Sequence, residues 1–140
     1  VKHKIRLFLA IPAILLLAQL VRPAFDNPPP VKEPAWDSPT TRALAQRACF
    51  DCHSHEAKLP WYGQIAPVRW VLVHHLHEGR ENLDFQNIDG TENAKKITKE
   101  IRDGEMPMLP YTWMHKEARL SPAERDSLIA GLERTFSKRP

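Results

Sequence analysis

Hydrophobic positions along the chain change their spacing from one stretch to the next, and each spacing points to a different element. The first is a continuous apolar run, Leu7 to Val21, preceded by Lys2, His3, Lys4 and Arg6 and followed by Arg22. A basic start before an apolar run is the pattern of an export signal or a membrane anchor. As a helix its 15 residues reach roughly 22 Å, short of a hydrocarbon core of about 30 Å. Snorkelling by Arg6 and Arg22 can extend it. Gln19, Leu20 and Val21 offer no clean small-residue processing site, so the expectation is an uncleaved anchor over residues 1–22. The positive start places the N-terminus in the cytoplasm and the remainder outside.

Residues Pro23 to Pro39 hold six of the thirteen prolines, Pro28-Pro29-Pro30 among them. Proline lacks the N–H that helices and central strands need, so residues 23–39 read as a linker. Extended as polyproline II, it would reach up to roughly 50 Å and act as a spacer. Beyond it the period becomes helical. Ser38-Pro39 starts a helix carrying Leu44, Ala45, Ala48 and Cys49. Ala66 to Gly79 carries Val68, Val71, Leu72 and Leu76, with Pro67 in its first turn and Gly79 at its end. Ala94, Ile97 and Ile101 mark a third helix closed by Gly104. A fourth opens on the capping box Ser121-Pro122-Ala123-Glu124 and runs through Leu128, Ile129, Leu132 and Phe136. No period-2 strand and no internal repeat is visible. The fold class is therefore all-α, with one small helical domain over residues 40–140.

Charge narrows the function classes. From Thr40 onward there are 15 Lys+Arg against 14 Asp+Glu, so the formal +3 resides mainly in the first part of the chain. A nearly neutral domain without a basic stripe gives nucleic-acid binding no support.

The candidate chemistry lies in Cys49-Phe50-Asp51-Cys52-His53. Cys-x-x-Cys-His is the pentapeptide that carries a covalent c-type haem. Two thiols three positions apart on a helical turn can each bond one porphyrin vinyl group, and the adjacent imidazole reaches the iron as proximal ligand. A structural zinc site would want four ligands, and the chain has only these two cysteines. A redox dithiol of the thioredoxin kind would sit in a βαβ pattern, which is absent.

A second iron ligand is expected from methionine or histidine. Gly104-Glu105-Met106-Pro107-Met108-Leu109-Pro110 is a proline-flanked loop able to hold a thioether still, and Met106 is the first choice, Met108 the second. Met114 and His115 follow; the competing reading is that these methionines fill gaps against aromatic rings. Thioether ligation favours the ferrous state and raises the potential, as a carrier of electrons requires. His74 and His77 share a helical face but lack a third convergent ligand, and His75 reads as a partly buried polar residue. His55 is expected to face solvent. Trp61, Tyr62, Tyr111 and Trp113 flank the loops that should border the haem, where they would pack on its edge and offer N–H or O–H groups to the propionates, or simply pack in the core.

Taken together, Cys49 to His55, Leu59-Pro60-Trp61-Tyr62, Ile65-Ala66-Pro67-Val68, His77-Glu78-Gly79-Arg80-Glu81, Gly104-Glu105-Met106-Pro107 and His115 to Ser121 resemble the small bacterial haem-binding-domain family of monohaem c-type cytochromes. The likeness covers about Thr41 to Phe136. It implies a fold related to class I cytochrome c, export, frequent membrane anchoring, and Met106 at the family's Met-Pro position. Met108 departs from it, since a second proline is expected there. The function expected is that of a membrane-tethered monohaem c-type cytochrome, a carrier of single electrons and not an enzyme. It would stand as a single-pass protein of the bacterial inner membrane with its haem domain in the periplasm. Its partners would be redox proteins or a respiratory or photosynthetic membrane complex. Cys49 and Cys52 attach one haem c, with His53 and Met106 on the iron. The alternative is a haem-based sensor or peroxidase with a displaceable distal ligand.

Overall fold

A computed structural model describes residues 2–90 and 92–137, with side chains in the first helix from Phe8 onward. The side chains of Lys2, His3, Lys4 and Arg6 lie outside the described residues. Among the described residues seven α-helices follow one another: α1 Lys2–Ala18, α2 Pro39–Ala48, α3 Phe50–His53, α4 Val68–Asn82, α5 Ala94–Arg102, α6 Leu109–Met114 and α7 Pro122–Ser137. Short 3₁₀ turns, Trp61–Gln64 and Lys116–Ala118, precede α4 and α7. The only β feature among the described residues is an isolated bridge between Lys32 and Asn87. The all-α expectation holds.

The start signals act as their chemistry requires. Ser38 accepts the Thr41 N–H at 3.2 Å to cap α2. At α7, Ser121 N–H donates to Glu124 and Glu124 N–H donates back to the Ser121 hydroxyl, a reciprocal capping box. Gly104 leaves α5 at φ +78, the left-handed conformation that stops a helix. The second expected helix runs one turn further than its glycine suggested, so Gly79 lies inside α4 and not at its end.

Helices this short are marginal alone and depend on packing. α7 lies against α5 and α2, and α3 lies against α4. Phe50, Phe85, Leu44, Ile101, Leu128 and Leu132 are buried together. Trp36 joins the cluster with ring centroids 5.3 Å from Phe85 and 6.2 Å from Phe50. Each fully buried side chain of this size contributes about 1.5–3 kcal/mol.

Of two expectations for the N-terminal part, one is not shown by the structure and the other needs correction. α1 forms, but no helix among the described residues is long and apolar enough to cross a membrane, so a single-pass span is not found. The 17 residues of α1 rise only about 25 Å. The proline-rich segment is extended, as proline demands, but it is a strap and not a free spacer. Val31 and Lys32 N–H groups both donate to the Gln86 carbonyl, at 2.8 and 3.0 Å. Glu33 then accepts from Arg42 Nε and Nη2, from the Trp36 indole and from Gln86. Arg42 first, with Trp36 and Gln86, holds the Glu33 carboxyl down at about 2 against the opposing effect of its burial.

Candidate haem-binding site

Cys49 ends α2, and Phe50 to His53 form the single turn α3, so the motif sits at a sharp junction between two helices. The turn closes on itself: Cys52 and His53 N–H groups donate to the Cys49 carbonyl at 3.1 and 3.0 Å. α4 lies hard against it because residue 79 is glycine. A β-carbon there would collide with the Cys52 carbonyl oxygen. Arg80, next along α4, donates to the Ser54 carbonyl at 2.9 Å and to Asp26 and Asn27 of the strap. The motif is thereby fixed from outside.

The His53 imidazole has a defined tautomer. Its Nδ1 is 2.9 Å from the Leu83 carbonyl, which can only accept, so Nδ1 carries the proton. Nε2 is left with its lone pair. Burial lowers the imidazole's pKa against the opposing effect of this hydrogen bond and so favours the neutral ring. A ring that donates one N–H to a carbonyl while presenting the other nitrogen is the arrangement of a metal-ligating histidine.

Cys49, Cys52 and His53 line a cavity of about 480 Å³, within the roughly 300–1,000 Å³ range of cofactor sites. Phe85, Ile97, Ile101 and Leu132 supply apolar wall. Met106, Met108 and Tyr111 also line it, so both candidate thioethers are brought to the cavity that holds the motif. Met106 in addition packs against the buried core, as Cys49 does. The Met106 N–H is held at 3.1 Å by the Glu100 carbonyl at the end of α5. These residues fit a haem: two thiols, a neutral imidazole and two thioethers around an apolar, cofactor-sized space.

Competing chemistries fit less well. Both cysteines are free thiols. Burial, with a smaller push from Cys52, raises Cys49 to about 12. Burial, then the Asp51 charge, raises Cys52 to about 11. Reactive dithiols need the opposite shift. Among the described residues no group of three or more His, Cys, Asp or Glu could hold a metal ion, which includes the His74, His75 and His77 stretch. Of these three only His75 reaches the cavity.

Other expectations divide. Of the four flanking aromatics, Tyr111 alone lines the cavity, and its hydroxyl is taken by Asp51 at 2.7 Å. Tyr62 instead reaches His115 Nε2 at 2.7 Å, and His115 stacks on Tyr111 with centroids 4.2 Å apart. Trp61, Trp113 and Met114 are exposed. His55 is not solvent-facing: its side chain is 6% exposed, with Nε2 2.6 Å from Asp84 and Nδ1 3.2 Å from the Pro29 carbonyl. It pins the strap beside the motif. Sequence reading gave no structural role to Asp51, placed Gly79 at a helix end, and missed the Leu83 carbonyl. Gly79 had a usable signal, a glycine amid strong helix formers.

A family model described as a haem-binding domain matches residues 13–134. The match begins inside α1 and so takes in the strap as well as the helices around the cavity. No curated protein and no solved structure matches the chain. With the match spanning most of its length, the chain belongs to the haem-binding-domain family.

Proposed function

We propose that this chain is a monohaem c-type cytochrome that carries single electrons, held at a membrane through α1 with its domain on the periplasmic side. One observation carries the reading. A Cys-x-x-Cys-His turn, its histidine already oriented by Leu83, lines the same apolar cavity as Met106 and Met108. Cys49 and Cys52 would hold the porphyrin as thioethers, His53 would bind its iron through Nε2, and Met106 would be the distal ligand with Met108 as runner-up.

A haem so held supplies a reversible one-electron couple whose potential its axial ligands set. The protein's own groups do the rest. The Leu83 carbonyl orients His53, and burial favours its neutral form. Phe85, Ile97, Ile101 and Leu132 give the cavity an apolar wall. Gly104 and the Glu100 carbonyl hold the methionine loop, so a ligand from it would move little. Small movement and a filled coordination sphere suit a carrier rather than a catalyst. The physiological partners would be redox proteins or a membrane electron-transfer complex, towards which attachment raises the effective concentration.

Absorbance of the haem-loaded protein tests this. A far-red sulfur-to-iron band in the ferric form, with slow and weak binding of carbon monoxide by the ferrous form, is expected. Rapid carbon monoxide binding would favour the sensor or peroxidase instead.

A further inference from the structure

Apolar side chains stand exposed around α1, from Phe8 and Leu9 through Ile14 to Leu17. A helix apolar all round belongs in an apolar medium. Its end is not joined to the domain by slack chain. The Gln19 side-chain amide accepts the Ala66 N–H at 2.9 Å and donates to the Ala66 carbonyl at 3.2 Å. The Trp70 indole donates to the Val21 carbonyl at 2.7 Å, and Arg69 Nε to the Pro23 carbonyl at 3.0 Å. Arg22 donates to the Gln64 side chain at 3.1 Å. Four side chains thus fix the end of α1 against the 3₁₀ turn and the first turn of α4.

The surface beside this clamp is also apolar. Ile65, Val68 and Val71 are exposed, the last at 52%, and Val68 and Val71 lie three apart on one face of α4. Arg22 and Arg69 border it and bond only neutral oxygens, without an ion pair among the described residues. Their charges are therefore left for an outside anion. An apolar patch, a tryptophan and two uncompensated arginines at the foot of an apolar helix match the layers of a membrane interface.

We propose that a lipid surface with anionic headgroups covers this face, seating the domain on the membrane in one orientation rather than letting it swing. This rests on the membrane-attached reading above. His75, which lines the cavity, is four residues beyond Val71 on α4, about 6 Å along the helix axis. The cavity is thereby kept within about one helical turn of the seat.

The test uses the full haem-loaded chain with vesicles of phosphatidylcholine and phosphatidylglycerol. Nitroxide labels are placed at Val71→Cys, at Val68→Cys as a second site, and at Asp126→Cys on α7 as the control. Relaxation by oxygen, which concentrates in lipid, is compared with relaxation by a water-soluble nickel chelate. The expected result is an oxygen-to-nickel ratio at 71 and 68 several-fold above that at 126. Vesicle-bound protein with equal ratios at all three sites would overturn the seat and leave attachment through α1 standing. Failure to bind vesicles would overturn attachment and the seat with it. Dipolar broadening between labels at 71 would show a second copy on this face and also overturn the proposal.

Discussion

The Tyr111 hydroxyl donates to the Asp51 carboxylate at 2.7 Å, tying α6, just past the methionine loop, to the middle of the Cys49–His53 turn. Asp51 also accepts the Lys58 N–H at 3.2 Å. Burial, then this bond and the Asp51 charge, push the Tyr111 pKa up, so the phenol stays protonated and the bond persists across the working pH range. A bond to a charged acceptor is worth about 1.5–3 kcal/mol. Tyr111→Phe should therefore lower the guanidinium midpoint of the haem-loaded protein by the equivalent of about 2 kcal/mol. Asp51→Asn, which keeps an acceptor, should cost less.

Gly79→Ala should be far more damaging than its size suggests. The added β-carbon meets the Cys52 carbonyl, a backbone atom that cannot step aside without moving α3 off α4. The expected outcome is a sharp drop in the yield of covalently loaded protein, with the apoprotein still helical by circular dichroism. Gly90→Ala is the control, since Gly90 has open space but φ +91. It should cost about 1 kcal/mol through backbone strain alone and leave loading intact.

Acid should free the strap before it unfolds the core. Glu33 is depressed from 4.5 to about 2 in the folded chain. A depressed carboxyl contributes stability that is complete above its unfolded value and is lost as pH falls through the folded one. Exchange of the Val31 and Lys32 amides, whose acceptor is Gln86, should therefore accelerate between about pH 4.5 and 2. Glu33→Gln should show fast exchange at neutral pH and no such window. Glu124 is similarly held at about 2, first by the Ser121 backbone and then by Arg47, which is why local exchange and not the global melt is the readout.

The two methionines should separate cleanly. Met106 packs against the core beside the cavity, whereas Met108 caps the start of α6 and lines the cavity only. Met106→Leu should abolish the far-red ferric band and lower the potential. Met108→Leu should leave the band in place. The reverse result would assign the ligand to Met108.

Much of this was readable from residue order because it depends on local chemistry. The Ser121–Glu124 box, the Ser38 cap and the Gly104 stop are each decided within a few positions, and all three formed. The Cys-x-x-Cys-His turn is likewise local. Partners distant in sequence could not be read. His55 looks like a surface residue until Asp84 and Pro29 are folded onto it. The proline-rich stretch carries no sign that Glu33 will meet Arg42 and Gln86. Proximity in sequence to the haem-bordering loops points Trp61 and Trp113 to the haem edge or to the core, and both are exposed instead.

Everything proposed for this chain depends on Cys49 and Cys52 holding one haem covalently in the cavity they line. Intact-mass measurement after acid–acetone extraction, on protein matured with its c-type attachment machinery, tests it most directly. The expected result is a coloured polypeptide heavier than its sequence by one haem, with Cys49→Ala and Cys52→Ala together abolishing the increment. A polypeptide at its bare sequence mass, with the pigment in the solvent, would contradict the account.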